Sequence, residues 1–275
     1  MRQLSFVGSF KYIFMLVCVV VAVFPLVWVF FSSFKTNAEI FASGIALPTT
    51  YNLDGFRAAL DIAPIPRFFV NSVIIGVATT VLNVSLVSMA AYVFARFTFK
   101  GKNLLYALIM LSLVIPMTAL LHPVYIVIQR MGLADTYMGM VLVYTALNLP
   151  MSLLILRASF ASIPRGLEEA AYIDGASFMR TFVQVMLPCA KGGLASAAVL
   201  TFLGSWNEFT FALILTSSER VRTLPLALSF FQSQFTFNFT AMFAAITIAV
   251  VPSIVVFAIF QEQVVSSLTA GSMKE

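Results

Sequence analysis

Charged residues are so sparse in this chain that the gaps between them define its elements. Charge-free windows run over 12–34, between Lys11 and Lys35, and over 68–94, between Arg67 and Arg96. Further apolar windows cover 104–128, 138–156, 193–216 and 241–260, the fifth of the six carrying a single acid, Glu208. Each is about 20 residues or more, enough at ~1.5 Å per residue to cross a bilayer core of ~30 Å. The pattern predicts an all-α polytopic membrane protein with six transmembrane helices. Pro116, His122 and Pro123 predict a kink or early end in the third. The stretch 223–240 is uncharged as well, but Pro225, Gln232, Gln234 and Asn238 break it. A seventh span there would bury several amides, so an external loop with a short amphipathic helix is expected. The first window is too long for a signal-peptide core, and Phe31-Ser32-Ser33-Phe34 offers no small-x-small cleavage site.

Composition supports the membrane reading. Of 275 residues, 61% are apolar and 10% charged, whereas a soluble domain has nearer 45–50% and about 25%. A globule of this size could not hide that much apolar surface, and the length leaves no room for a separate soluble catalytic domain. The net charge of +5 is therefore a topology signal and not a nucleic-acid footprint. With six spans and both termini inside, only Lys35, Arg57, Arg67, Arg130, Arg220 and Arg222 fall outside, and the other basic residues lie inside. That supports an N-in/C-in arrangement. The remaining segments are then a cytoplasmic N-terminus (1–11), an external loop (35–67), a cytoplasmic loop (157–192), an external loop (217–240) and a cytoplasmic tail (261–275). The external loop 35–67 holds an amphipathic patch, Phe56-Arg57-Ala58-Ala59-Leu60. Cys18 and Cys189 are expected as buried small hydrophobes with no metal or redox role.

The chemistry the chain lacks narrows its function. No Gly-x-x-x-x-Gly-Lys-Ser/Thr phosphate loop occurs, His122 is the only histidine, and Glu168-Glu169 are adjacent and so point to different sides of a helix. Catalytic, cofactor and metal sites are not expected. Glu208 is the clear intramembrane acid, either functional or near the outer interface, hydrogen-bonded or exposed to water. Ion-driven carriers usually hold several such acids, so energy for uphill transport should come from another subunit.

The cytoplasmic loop is the most informative piece. It contains Ser162-Ile163-Pro164-Arg165-Gly166-Leu167-Glu168-Glu169-Ala170-Ala171-Tyr172-Ile173-Asp174-Gly175-Ala176-Ser177 and continues to Leu187-Pro188. Ser162 can cap a first short helix, Pro164 suits its opening turn, and the two glutamates suit its positive end. Gly175 can end it in the left-handed conformation, and Ser177 can cap a second helix that stops before Pro188. Leu167, Ala170, Ala171 and Asp174 share one narrow face. Two readings follow from these residues: a compact knob for a pocket on a second protein, or an amphipathic connector lying on the membrane.

Glu169-Ala170-Ala171, three residues, Gly175, nine residues, then Val185-x-Leu187-Pro188 resembles the EAA loop of ATP-binding-cassette importer permeases. Ile173-Asp174-Gly175-Ala176-Ser177 sharpens the likeness to the carbohydrate-uptake branch, the maltose-transporter-like second permease. Collinear matches are Asn71-Ser72, Gly132-Leu133-Ala134-Asp135-Thr136, Trp206-Asn207-Glu208 and Leu268-Thr269-Ala270-Gly271. The tail departs from the pattern at Gln261-Glu262-Gln263, where relatives usually carry a basic residue after Gln.

The resemblance implies the type I importer permease fold in the cytoplasmic membrane of a bacterium or archaeon. It implies a heterodimer with a second permease, two ATPase subunits that hold ATP and Mg, and an extracytoplasmic sugar-binding protein. It assigns ATPase coupling to Glu169, Ala170, Ala171, Asp174, Gly175, Leu187 and Pro188. Trp206, Asn207 and Glu208 become candidates for the translocation path, with packing at the dimer interface as the other reading. A stand-alone ion-coupled carrier is the competing function; a membrane-bound enzyme would need a catalytic cluster that the sequence does not show.

Overall fold

The computed structural model describes the backbone of residues 6–231 and 238–272, with side chains over 10–231 and 238–262. Every element among the described residues is helical. In chain order they are α1 (Phe6–Ser32), α2 (Asn37–Ala42), α3 (Asp54–Ile62), α4 (Ile65–Arg96), α5 (Lys102–Leu111) and α6 (Leu121–Arg130). Then come α7 (Tyr137–Ser162), α8 (Gly166–Ile173), α9 (Phe178–Thr181), α10 (Leu187–Cys189), α11 (Lys191–Trp206), α12 (Thr210–Leu215), α13 (Leu224–Ala227) and α14 (Phe239–Ser272). Four helices are long and apolar enough to cross a membrane: α1, α4, α7 and α14. A bent pair, Phe178–Cys189 with Lys191–Trp206, supplies a fifth candidate.

Two of the expected windows are broken helices. The window 104–128 splits into α5, a 3-10 turn at Met117–Leu120 and α6. Pro116 has no amide proton to give to the preceding turn, so α5 stops before it. The window 193–216 splits at residues 207–209 between α11 and α12. In the segment 223–240 the chain forms α13 and a 3-10 turn at Leu228–Phe231, while Gln232 and Gln234 lie outside the described residues. So do residues 1–5 of the N-terminus and the side chains of the tail beyond Glu262.

The chain divides into two compact units, Met1–Pro66 with Ala227–Val251 and Arg67–Leu226 with Pro252–Glu275. In the first unit, α1 is apolar on all sides and no residue of its apolar window is buried. A helix with that surface belongs against lipid or another chain. This also corrects the expectation for Cys18, which is exposed because no described residue covers that stretch of α1. The connection after α1 is tightly bonded. Lys35 is buried and its Nζ donates to the Gly44 carbonyl at 3.1 Å. Thr36 and Glu39 form a reciprocal capping box that opens α2. Asn37 Oδ1 accepts from the Thr240 amide and hydroxyl at 3.2 and 3.1 Å, tying α2 to the start of α14. The amphipathic patch at 56–60 forms part of α3, with Ala59 on its buried side.

In the second unit α7 is the central helix, lined by buried residues on successive turns. One apolar cluster joins Tyr92 and Phe94 of α4 to Leu156 and Phe160 of α7, Phe182, Met186 and Ala197. Another joins Ile75, Met140, Tyr144, Phe211 and Leu215. Small residues let α11 approach α7 closely: a Cβ on Gly193 would collide with the Ser159 side chain. A buried polar ladder crosses three helices there. Asn83 donates to the Thr145 carbonyl at 3.1 Å, and Ser152 shares a 3.1 Å hydrogen bond with Thr201. Apolar surface does not drive helices together in lipid, so small-residue contacts and hydrogen bonds of this kind set the packing.

A clasp closes the end of this unit where α4 and α7 begin. Asn71 Nδ2 donates to the carbonyls of Arg220 and Arg222 at 3.0 and 2.8 Å, and its Oδ1 accepts from the Tyr137 hydroxyl at 2.7 Å. Asp135 sits at φ 56°, a conformation Asp tolerates, and accepts from the Ser217 and Ser218 amides at 2.9 and 3.0 Å. Burial works against its charge, but those amides and the nearby Arg220 outweigh burial and hold the carboxyl below its ordinary 3.8. Replacing Asn71 by Leu should lower stability by about 1–3 kcal/mol, because the clasp loses three hydrogen bonds while only the Tyr137–Arg220 contact at 3.0 Å is kept. Thermal unfolding of the purified chain in detergent checks this; an unchanged midpoint would mean the clasp carries no load.

Candidate functional site

The loop that carries the Glu169-Ala170-Ala171 motif begins where α7 ends. Ser162 is the last residue of α7 and not the cap of the next helix; Arg165 holds the N-cap position of α8, with no side-chain hydrogen bond. The difference arises because Ile163 is buried, so the break falls at Ile163-Pro164 instead of before it. α8 ends in a paired-bond cap: the Ala176 amide donates to the Ala171 carbonyl at 2.9 Å and the Gly175 amide to Tyr172 at 3.0 Å. Gly175 takes φ +80°, and a Cβ there would meet nothing within 4 Å. The demand for glycine is therefore set by the backbone angle alone.

Ser177 caps the second helix, as its position suggests, accepting from the Arg180 amide. That helix does not stop before Pro188. It widens into a π-turn at Phe182–Met186, where the Leu187 amide reaches back to the Phe182 carbonyl, and carries Pro188 inside α10. A proline ring clashes with the carbonyl four residues back in a regular helix, and the wider turn relieves that crowding. The chain then bends by 78° into α11. Cys189 sits on this elbow and is exposed, contrary to the expectation of burial.

The knob is fastened to α4. Glu168 pairs with Arg96 at 2.9 Å and accepts from the Tyr92 hydroxyl at 2.6 Å. Arg96 also donates through Nη2 to the Ile163 carbonyl. The Tyr92 ring stacks on Phe182 at 5.2 Å and lies 5.6 Å from both Phe160 and Phe178. The second helix thus rests on the same tyrosine that holds the first. Sequence reasoning placed Glu169 in the functional set and missed Glu168, Arg96 and Tyr92. The adjacent pair Glu168-Glu169 holds the clue: one must point inward, and only an inward acid needs a cation.

The outward face is different in kind. Glu169, Ala170, Asp174 and Gly175 are exposed, while Ala171 turns inward beside Glu168. Ile173 is 85% exposed, and Leu167, Tyr172, Phe178 and Met179 also present apolar surface. Leu187 is half-buried and Pro188 exposed. An acidic and apolar face on a rigid knob suits docking into a complementary groove.

The other candidate residues part company at the α11–α12 break. Trp206 is buried, edge-on to Phe69 at 5.5 Å and stacked on Phe202 at 5.6 Å. Glu208 caps α12, accepting from the Phe211 and Ala212 amides at 2.8 and 3.0 Å, and takes a 2.8 Å hydrogen bond from the Tyr144 hydroxyl. Asn207 is exposed, and its Oδ1 accepts from Ser253 of α14 at 3.2 Å.

Comparison with known proteins supplies the family. Residues 85–269 match the model of the binding-protein-dependent transport system inner membrane component. The chain belongs to that family. A diacetylchitobiose uptake system permease protein of Streptomyces coelicolor is 36% identical over 93% of this chain and 85% of its own length. A trehalose transport system permease protein of Mycobacterium tuberculosis is 36% identical over 92% of this chain and 93% of its own. The crystal structure of a bacterial transporter that imports the acidic polysaccharide alginate contains a chain of the same fold. It has a TM-score of 0.82 at 20% identity and covers 95% of this chain and 98% of that one. The protein is thus a permease of the carbohydrate-uptake ATP-binding-cassette type, a multi-pass transport component and not an enzyme.

In this permease Glu168 and Glu169 should separate cleanly in stability. Glu168→Ala leaves Arg96 buried without its counter-charge and should cost about 3–5 kcal/mol. Glu169→Ala, on the exposed face, should stay within about 0.5 kcal/mol. Thermal unfolding of both variants in detergent measures the contrast, and equal midpoints would contradict the assignment of the inward acid.

Proposed function

We propose that this chain is the six-span, N-in/C-in permease of an ATP-driven sugar importer in a bacterial or archaeal cytoplasmic membrane. It pairs with a second permease, receives sugar from an extracytoplasmic binding protein and is driven by two ATPase subunits that hold ATP and Mg. The observation that carries this reading is the fastening of the knob to α4 through Glu168, Arg96 and Tyr92, together with its direct continuation into α11. A push on the outward face, through Glu169, Ala170, Asp174 and Gly175, reaches two helices at once. Ala171 keeps α8 close to its support, and Leu187 and Pro188 shape the elbow that passes the motion to α11. Rigid-body movement of packed helices is the usual form of such switching.

The substrate in this reading is a glycoside, the class named for the diacetylchitobiose and trehalose relatives. Within the candidate path, Asn207 faces the route of the sugar, while Trp206 and Glu208 hold the break that presents it. The Asn207 amide already bonds to the Leu203 carbonyl and the Ser253 hydroxyl, and because it is exposed it keeps a second proton and a lone pair for a sugar hydroxyl. The ion-coupled carrier finds less support, because the clear intramembrane acid is already occupied by two backbone amides and a tyrosine hydroxyl.

Gly175→Val forces a β-branched residue into the left-handed region and should cut sugar uptake per ATP hydrolysed by about tenfold or more at normal assembly. The check is paired ATPase and uptake assays in proteoliposomes; full coupling would refute the knob's role. Asn207→Ala should raise the KM for uptake several-fold with the basal ATPase rate intact, as measured by initial-rate uptake. An unchanged KM would move Asn207 from the path to a packing role.

A further inference from the structure

A cavity of about 440 Å³ opens between α7 and the connection that leads from α4 into the start of α5. Thr98, Phe99, Lys102, Leu104 and Arg157 contribute to its lining, and no lining residue is acidic. Among the described residues neither Lys102 nor Arg157 is paired with a carboxylate. Both cations are nevertheless held in place. The Arg157 guanidinium lies 4.3 Å over the Tyr106 ring, which fixes its plane and leaves its edge of N–H donors free for an oxyanion. Lys102 Nζ donates to the Phe97 carbonyl at 2.8 Å and has two further protons to give. Two positioned, part-buried positive charges at one cavity repel each other, and an anion between them removes that cost.

The rim of the cavity shows what kind of anion fits. Leu104 lines the cavity and also begins a stripe with Leu108 and Leu111, at i, i+4 and i+7 on one face of α5. All three are more than half exposed. The site is therefore cationic at one end and continuous with an apolar strip of helix at the other, the two chemistries of a charged lipid. Basic pockets between transmembrane helices are established receptors for lipid headgroups. We propose that this cavity binds the phosphate of an anionic membrane lipid, with Arg157 and Lys102 on the phosphate oxygens and an acyl chain along Leu104, Leu108 and Leu111. The site requires only that the chain lies in a bilayer; it does not depend on which sugar is carried or on how ATP is coupled.

Native mass spectrometry of the full-length permease, titrated in detergent with phosphatidylglycerol, phosphatidylcholine or glycerol 1-phosphate, tests it. The expected result is retention of phosphatidylglycerol over phosphatidylcholine, weakened about tenfold or more in Arg157→Gln/Lys102→Gln. Arg165→Gln, an exposed cation outside the cavity, should leave retention unchanged. Leu104→Gln should weaken lipid retention with both cations in place, so the test survives if the double variant fails to fold. Equal retention in wild type and both cavity variants would overturn the proposal. So would glycerol 1-phosphate binding as tightly as the lipid, which would make this a site for free phosphate esters. The readout needs no transport, so its failure is distinct from failure of the importer reading.

Discussion

A carboxylate buried against the end of a long apolar helix must be compensated, and the way Glu168 is compensated determines how the loop sits. Taking the charges of Glu168 and Arg96 out of water costs several kcal/mol per ion, repaid only when the geometry is good and the remaining polar atoms are bonded. Here the Tyr92 hydroxyl serves one oxygen of Glu168, Arg96 faces the other, and a further Arg96 nitrogen serves the Ile163 carbonyl. These contacts fix α8 and Ile163, at the end of α7, to the last turns of α4. Tyr92 then contributes its ring to Phe160, Phe178 and Phe182, which seats the second loop helix as well. Without the inward acid, two short helices of eight and four residues would have little to hold them, since isolated helices of that length are marginal in water.

That anchoring turns a loop into a braced surface, which the proposed function uses as a lever. Its outward residues are free to meet a partner because its inward residues are fully engaged. The π-turn before Pro188 and the 78° elbow keep the second helix continuous with α11 through a residue that would otherwise end it. α11 in turn lies against α7 along small residues and the Ser152–Thr201 hydrogen bond, a close-packed contact that transmits displacement instead of absorbing it.

The sequence made some of this legible and hid the rest for identifiable reasons. Gly175 and Ser177 could be assigned from their own chemistry, because a left-handed stop and a hydroxyl cap are local events. The windows 104–128 and 193–216 read as continuous spans because hydropathy is blind to where a helix breaks; Pro116 hinted at the first break, and nothing local marked the second. Glu208 drew attention as an intramembrane acid, yet its role as the cap of α12 depends on Tyr144, 64 residues away. Glu168 was hidden in the same way, since its partners lie on α4, 72 and 76 positions earlier. Cys18 was misjudged because burial in a membrane protein includes burial by lipid and by other chains, which the fold of one chain does not supply.

The use of Glu208 bears on how the transporter is powered. A carboxylate that cycles protons or sodium must be able to lose and regain its partners, and it works best where those partners are mobile. Glu208 is instead committed to two amides at the start of a helix and to a tyrosine in the most buried helix of the unit. Releasing it would uncap α12 and leave the Tyr144 hydroxyl unsatisfied in the core, a cost of about 1–3 kcal/mol for each orphaned group. An acid so placed stabilises an irregular backbone, where buried unpaired amides are expensive. The clear ionisable group in the apolar windows therefore serves architecture, which is why the proposed importer takes its work at the rigid, exposed and internally braced knob.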